Sequence, residues 1–229
     1  MTDKPLLVLG NKRYSSWSLR PWLFLRHFGV DFEERMVPLD TPVFGAAIGA
    51  LSPTRRVPVL HDGPLVVWDS LAICEYANER WLGGRGWPAG LAQRAVARAA
   101  CAEMHAGFAA LRGECPMNVC RRLPHALPLS ESAAADAARV RALWRELRAR
   151  HGAGGDFLFG APGLVDAYYA PVVMRFWTYR LEAGPVEQSY IEAVRGLPAM
   201  REWIEAAAAE SELIDKYERI VSAARITLD

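Results

Sequence analysis

The chain is poor in everything that would send it to a membrane or a nucleic acid. Its N-terminal apolar run, Pro5 to Leu9, falls far short of the about 20 residues that span a bilayer, and short of a signal-peptide core. The Ala-rich stretches further on are broken by charges. A cytoplasmic protein with no membrane partner is expected. Charge of one sign is also lacking: 27 Lys and Arg stand against 26 Asp and Glu, so no basic field marks a nucleic-acid partner. Cysteine is scarce. Cys74, Cys101, Cys115 and Cys120 form no C-x-x-C pair, and the five histidines show no i, i+4 pair. That pattern points to no metal site and to reduced, packed thiols. There is no internal repeat.

What is present suits a globular protein. Hydrophobic residues make up 52% and charged residues 23% of 229 positions, enough to bury a core in one large or two small domains. The first eighty residues alternate between two periodicities. Pro5 to Gly10 reads as a buried strand, Ser18 to Gly29 as a helix, and Phe32 to Pro38 as a second strand. Pro42 to Leu51 reads as an irregular helix. Val57 to His61 and Leu65 to Val67 flank the turn signal Asp62-Gly63, and Asp69 to Leu82 is an amphipathic helix. The order β-α-β-α-β-β-α is that of a thioredoxin-like layer. Residues 83–91, GGRGWPAGL, read as a linker. Every strong signal beyond is helical: Ala92 to Arg112, Ser132 to His151, Leu164 to Leu181, Pro185 to Arg195 and Pro198 to Ala209. The third of these is apolar almost all round and should lie at the centre of an all-α domain. The expected organisation is an α/β domain at 1–82, a linker at 83–91 and a helical domain at 92–229.

Three short segments carry the chemistry. In Tyr14-Ser15-Ser16-Trp17-Ser18-Leu19-Arg20-Pro21, proline suits the first turn of a helix, which makes Ser18 the expected N-cap. Ser15 and Ser16 then lie in the loop between strand end and helix start, where an α/β sheet binds ligands. As residues alone, they serve equally as loop serines that cap a helix. Val57-Pro58 opens the hairpin, and Asp69-Ser70 opens the helix after it, with Asp69 a ready N-cap. Gly163 is an acceptable N-cap for the helix after it, and Asp166, three residues on, can bond back to its backbone, a structural role.

These motifs, in this order, resemble the cytosolic glutathione S-transferases of the serine type, closest to the zeta class. The resemblance covers most of the chain and implies a thioredoxin-like domain followed by an all-α domain. It implies glutathione as substrate or cofactor, with Ser15 donating a hydrogen bond that holds the glutathione sulfur as thiolate; Ser16 is the neighbouring alternative. A free thiol with a pKa of about 8.5 is mostly protonated at neutral pH, so such a bond matters. The resemblance implies a cis Val57-Pro58 bond that exposes the Val57 backbone to the cysteinyl unit, although cis bonds are the minority at X-Pro. It sets Ser16, Trp17, Arg56, Val57, Pro58, Asp69 and Ser70 around glutathione, with Ser70 at the γ-glutamyl end. Arg55, Lys12 and Arg13 are further cations for a carboxylate, or solvated loop residues.

The second substrate, a small electrophile, is expected between the domains. Tyr14 would line it together with Met104, Phe108, Arg112 and Cys115, whose spacing of three and four sets them on one face of a single helix. His105, Met117 and Asn118 lie nearby, and Asn118, Arg121 and Arg122 are expected at the surface. The implied activity is glutathione transfer. The alternatives are a maleylacetoacetate isomerase-like reaction and a scaffold that has lost its chemistry. Trp17 stands where the zeta class carries Cys. Family membership implies a homodimer.

Overall fold

The computed structural model describes residues 4–223. The chain begins β1 (Leu6–Leu9), α1 (Ser16–His27), β2 (Glu33–Met36), α2 (Phe44–Gly49), β3 (Val59–Asp62), β4 (Leu65–Trp68) and α3 (Ser70–Arg80). The sheet runs β2-β1-β3-β4. β1 and β2 are parallel, which requires the crossover helix α1, while β3 is antiparallel to both β1 and β4. Gly63, at a φ of 56°, supplies the positive dihedral at the first position of a Gly63-Pro64 hairpin loop, one residue later than the expected Asp62-Gly63 turn. Alternation along β1 divides the core in two. Leu7 and Leu9 join α1 and α3 in the large core, whereas Val8 packs with Val37, Ile48 and Val59 beneath α2.

The second half holds α4 (Leu91–Ala106), α5 (Ala109–Glu114), α6 (Glu131–His151), α7 (Leu164–Thr178), α8 (Pro185–Gly196), α9 (Pro198–Ala208) and α10 (Asp215–Ala223). As its composition predicts, α7 is buried on every side. Its first turn is closed by Asp166, which accepts from the Gly163 backbone at 2.9 Å and from Leu158 N–H at 3.1 Å. Burial raises the Asp166 carboxyl to about 6 in spite of those two bonds.

Four expectations about elements are corrected. α1 starts at Ser16, not after Ser18, with Ser15 at the N-cap and Pro21 beyond the first turn. Ser18 is instead fully buried, its Oγ accepting from Gly10 N–H at 3.1 Å, which ties the end of β1 to the helix. The single helix expected over 92–112 is two. It stops at Gly107, and Phe108 takes a left-handed φ of 57° before α5 begins. α6 is capped by Ser130, whose hydroxyl accepts from Ala133 N–H, and not by Ser132. The helix α10 has no counterpart in the expected element order.

The Gly/Pro segment between α3 and α4 is anchored at Gly86 and Trp87. Trp87 is buried and donates its indole N–H to Glu75. A Cβ at Gly86 would lie 2.5 Å from the Phe24 ring and 2.8 Å from Asn78 Oδ1, so glycine is required where this strand of chain crosses α1. No helix among the described residues is long and apolar enough to cross a membrane.

Candidate active site

Two clefts meet where the α/β half faces the helical half. The first, of about 380 Å³, is lined by Trp17, Thr54, Arg56, Val57, Pro58, Trp68, Asp69, Ser70, His105 and Arg112. The second, of about 490 Å³, is lined by Tyr14, Ser15, Ser16, Trp17, Leu39, Phe44, Arg55, Arg56, Val57, Arg112, Gly113, Pro116, Met117, Arg175, Tyr217 and Ile220. Trp17, Arg56, Val57 and Arg112 belong to both, so the clefts share a wall.

The first cleft is built on chain ends. The Val57-Pro58 bond is cis. Val57 lies ahead of the paired part of β3, which begins at Val59. Asp69 caps α3, its Oδ1 accepting from Leu71 N–H at 2.8 Å and Ala72 N–H at 3.3 Å. Its φ of 74° is rare for a residue with a side chain and turns the chain sharply before the helix. Ser70, the first residue of α3, is buried and its Oγ lies 3.1 Å from the Tyr168 hydroxyl. Tyr168 also lies 2.5 Å from Nδ1 of His105, whose Nε2 is 3.4 Å from Asp69 Oδ2. Three residues of the helical half, His105 on α4, Arg112 on α5 and Tyr168 on α7, therefore bear on this cleft. No signal in the sequence places Tyr168 here, and His105, expected near the second substrate, lines this cleft instead.

Beneath the shared wall lies Arg20, fully buried. Its Nε donates to Tyr168 O at 3.0 Å and its Nη1 to Ser16 O at 2.7 Å, while Nη2 has no partner among the described residues. The guanidinium stacks 4.2 Å from the Trp17 ring centroid and 4.9 Å from that of Tyr168. Burial lowers its pKa to about 9, which still leaves it charged at neutral pH. Arg112 approaches the Trp17 ring at 5.4 Å.

The second cleft opens onto the N-terminus of α1. Ser15 is buried to 7% exposure, and its Oγ donates to Ser18 Oγ at 2.8 Å without capping the helix. Ser16 is half-buried beside it. The far wall is α10, held down by Glu218, which accepts from Tyr14 Oη at 2.7 Å, Asn118 Nδ2 at 2.9 Å and Arg121 Nε at 3.0 Å. Tyr217 and Ile220 of this helix line the cleft; the spacing of Ile214, Tyr217 and Ile220 was the signal for it.

The geometry corrects part of the expected lining. Met104, Phe108 and Cys115 are buried in the core and line neither cleft, because the break at Gly107 and Phe108 takes them off a common face with Arg112. Burial pushes the Cys115 thiol up to about 12, so it is no nucleophile. Asn118 is buried, not at the surface. Lys12 and Arg13 face away from the clefts: Lys12 pairs with Glu34 at 2.6 Å, and Arg13 bonds Glu210. Among the described residues no group of three His, Cys, Asp or Glu gathers to hold a metal.

A family model described as glutathione S-transferase, N-terminal domain, matches residues 14–80, and its C-terminal counterpart matches residues 130–206. Together they span more than half of the chain, and the chain belongs to the glutathione S-transferase family, whose co-substrate is glutathione. A dichloromethane dehalogenase from Methylorubrum extorquens is 36% identical over 66 residues, covering 28% of this chain and 23% of that protein. The chain thus matches about a quarter of that curated relative's length. Two solved structures share the fold. One is a glutathione transferase homolog from Burkholderia gl BGR1 with bound glutathione, at TM-score 0.70 and 22% identity, covering 91% of this chain and 100% of that one. The other is a bacterial zeta-class maleyl pyruvate isomerase, at TM-score 0.69 and 23% identity, with the same coverage.

Proposed function

We propose that the chain is a serine-type glutathione transferase in which Ser15 holds the glutathione sulfur as thiolate for attack on a small electrophile. The observation that carries this reading is the placement of Ser15 and Ser16 at the N-terminus of α1, on a cleft that shares Val57, Arg56 and Trp17 with the cleft above Ser70. A tripeptide fits that arrangement. Ser70, at the positive end of α3, suits the γ-glutamyl carboxylate; the Val57 backbone suits the cysteinyl unit; Arg56 suits the glycine carboxylate. Bound there, glutathione supplies a thiol nucleophile. The chain's part is to lower the cost of ionising it. Without ligand Ser15 donates to Ser18 Oγ, which also accepts from Gly10 N–H. Ser18 keeps its own proton, so when Ser15 turns its O–H to the sulfur, Ser18 can donate to Ser15 instead of accepting from it. Such a relay strengthens the last donor, and the helix terminus adds its field.

A second reading is favoured by the charge of the second cleft. Arg55, Arg56, Arg112 and Arg175 line it, and among the described residues no Asp or Glu does. The bonds of these arginines go to carbonyl oxygens: Arg55 to Gly45, Arg112 to Gly107, Arg175 to Cys115 and Pro171. An acceptor carrying carboxylates suits such a lining, which supports a glutathione-dependent cis-trans isomerase of the zeta class, maleylacetoacetate isomerase-like. Assays of maleylacetoacetate isomerisation and of glutathione conjugation to a chlorinated aromatic separate the two. Calorimetry with millimolar glutathione that shows no binding would sink both and leave a scaffold. The working form is a cytoplasmic homodimer. Leu65, Trp68, Leu91 and Val96 are exposed apolar residues that a second copy would cover, and a monomeric mass in solution would contradict this.

A further inference from the structure

Four side chains from both halves of the molecule form one chain of polar contacts at the first cleft. Ser70 Oγ meets the Tyr168 hydroxyl at 3.1 Å, the Tyr168 hydroxyl meets His105 Nδ1 at 2.5 Å, and His105 Nε2 faces Asp69 at 3.4 Å. Ser70 and His105 both line the cleft, while Tyr168 is buried behind them. Each hydroxyl has a single proton to donate, so the direction of the chain is set at its imidazole end. Burial holds the proton on Tyr168 by raising its pKa. With a neutral imidazole protonated on the Asp69 side, Nδ1 is an acceptor. Tyr168 then donates to His105, and its oxygen becomes the acceptor for Ser70, whose O–H turns away from the cleft. With both imidazole nitrogens protonated, Nδ1–H donates to Tyr168, Tyr168 donates to Ser70, and the Ser70 O–H is released toward the cleft.

We propose that His105 and Tyr168 are positioning residues for the γ-glutamyl carboxylate of glutathione: a protonated His105 turns the Ser70 hydroxyl into a donor, so ligand binding takes up a proton. The inference rests on the reading that glutathione occupies this cleft. The surroundings of His105 suit such coupling. Asp69, at the N-cap of α3, is the anionic neighbour of the imidazole. Arg112 from α5 and Arg56 from the loop before β3 share the cleft with it, and Arg20 from α1 lies beneath the Tyr168 ring. Trp17 meets the imidazole edge-on at 5.4 Å and carries no charge. An incoming carboxylate adds the negative charge that shifts this balance toward protonation.

The test uses S-methylglutathione, which has no thiol proton to release and so leaves only the protein's proton in the count. Calorimetry in buffers of different ionisation enthalpy, between pH 6 and pH 8, measures both affinity and proton uptake. The full chain should take up a fraction of a proton on binding, and Kd should be about tenfold weaker at the higher pH, the order of one charge-assisted hydrogen bond. Tyr168→Phe keeps the backbone carbonyl that Arg20 uses and should lose both the uptake and the pH dependence. His105→Gln, at a half-exposed position, should do the same. Binding by the unsubstituted protein with no proton uptake would overturn the inference, as would a Tyr168→Phe variant that keeps the original pH profile. Absence of binding at every pH would overturn the glutathione reading itself, and this inference with it.

Discussion

Ser15→Ala is the most direct perturbation of the proposed chemistry. Little structure depends on this hydroxyl. It makes no cap bond to the helix, and its one contact, Ser18, keeps Gly10 N–H as a partner. Loss of one neutral hydrogen bond costs about 1 kcal/mol of stability, so the fold survives. At the sulfur the effect is larger. A hydrogen bond to a charged acceptor is worth about 1.5–3 kcal/mol, and one pKa unit is about 1.4 kcal/mol. The bound glutathione thiol should therefore titrate roughly one to two units higher in the variant. Below both pKa values its thiolate fraction falls roughly tenfold to a hundredfold, and kcat/KM falls with it. At a pH above both, the variant should recover. Ultraviolet absorbance of the thiolate across a pH titration, with Ser16→Ala in parallel, reads this directly. An unchanged titration in Ser15→Ala would refute the assignment, and a shifted one in Ser16→Ala alone would move the role to its neighbour.

Other perturbations separate the remaining parts. Arg112→Leu removes a cation common to both clefts; KM for a carboxylate-bearing acceptor should rise about tenfold while that for a neutral chlorinated aromatic stays level in steady-state kinetics. Asp166→Ala leaves the N–H groups of Leu158 and Gly163 without their acceptor, and denaturant unfolding should show a loss of about 2–5 kcal/mol. Glu218 loses solvation where it sits, but the bonds from Tyr14, Arg121 and Asn118 outweigh that and hold its pKa below the ordinary 4.5. A depressed carboxylate stabilises above its unfolded pKa, and that contribution fades as pH falls through the folded one. Hydrogen exchange in α10 should thus accelerate below about pH 4.5, and Glu218→Gln should show much of that acceleration at neutral pH.

The order of strands and helices was legible because it follows from local periodicity. β1 has nearly every residue buried, the crossover helix α1 follows it, and the hairpin turns at a glycine; each is a property of a few neighbouring residues. The cap at Asp69, the capping box at Gly163 and the all-round burial of α7 were legible for the same reason. The motif Tyr14 to Pro21 could be placed at a helix start, but not to the residue. Ser15 and Ser18 are equally good caps by type, and the choice falls to Gly10 N–H across the turn, which takes Ser18 for itself. The break after Ala106 was hidden because Phe108 adopts a left-handed backbone that its type disfavours, held there by burial of its ring in the core. On either side of that break Met104 and Cys115 are buried in the core, while Arg112 lines both clefts. The helix α10 and the chain from Ser70 through Tyr168 to His105 join residues far apart in the sequence. Tyr14 meets Glu218 across 204 positions, and Ser70 meets Tyr168 across 98. The sequence by itself determined most of the segments that become strands and helices and which serines stand near a helix start; the cis bond at Val57-Pro58 followed from the family resemblance alone. Only the tertiary structure decided which side chains share the clefts, because hydrogen bonds and burial between distant segments leave no period in the chain that makes them.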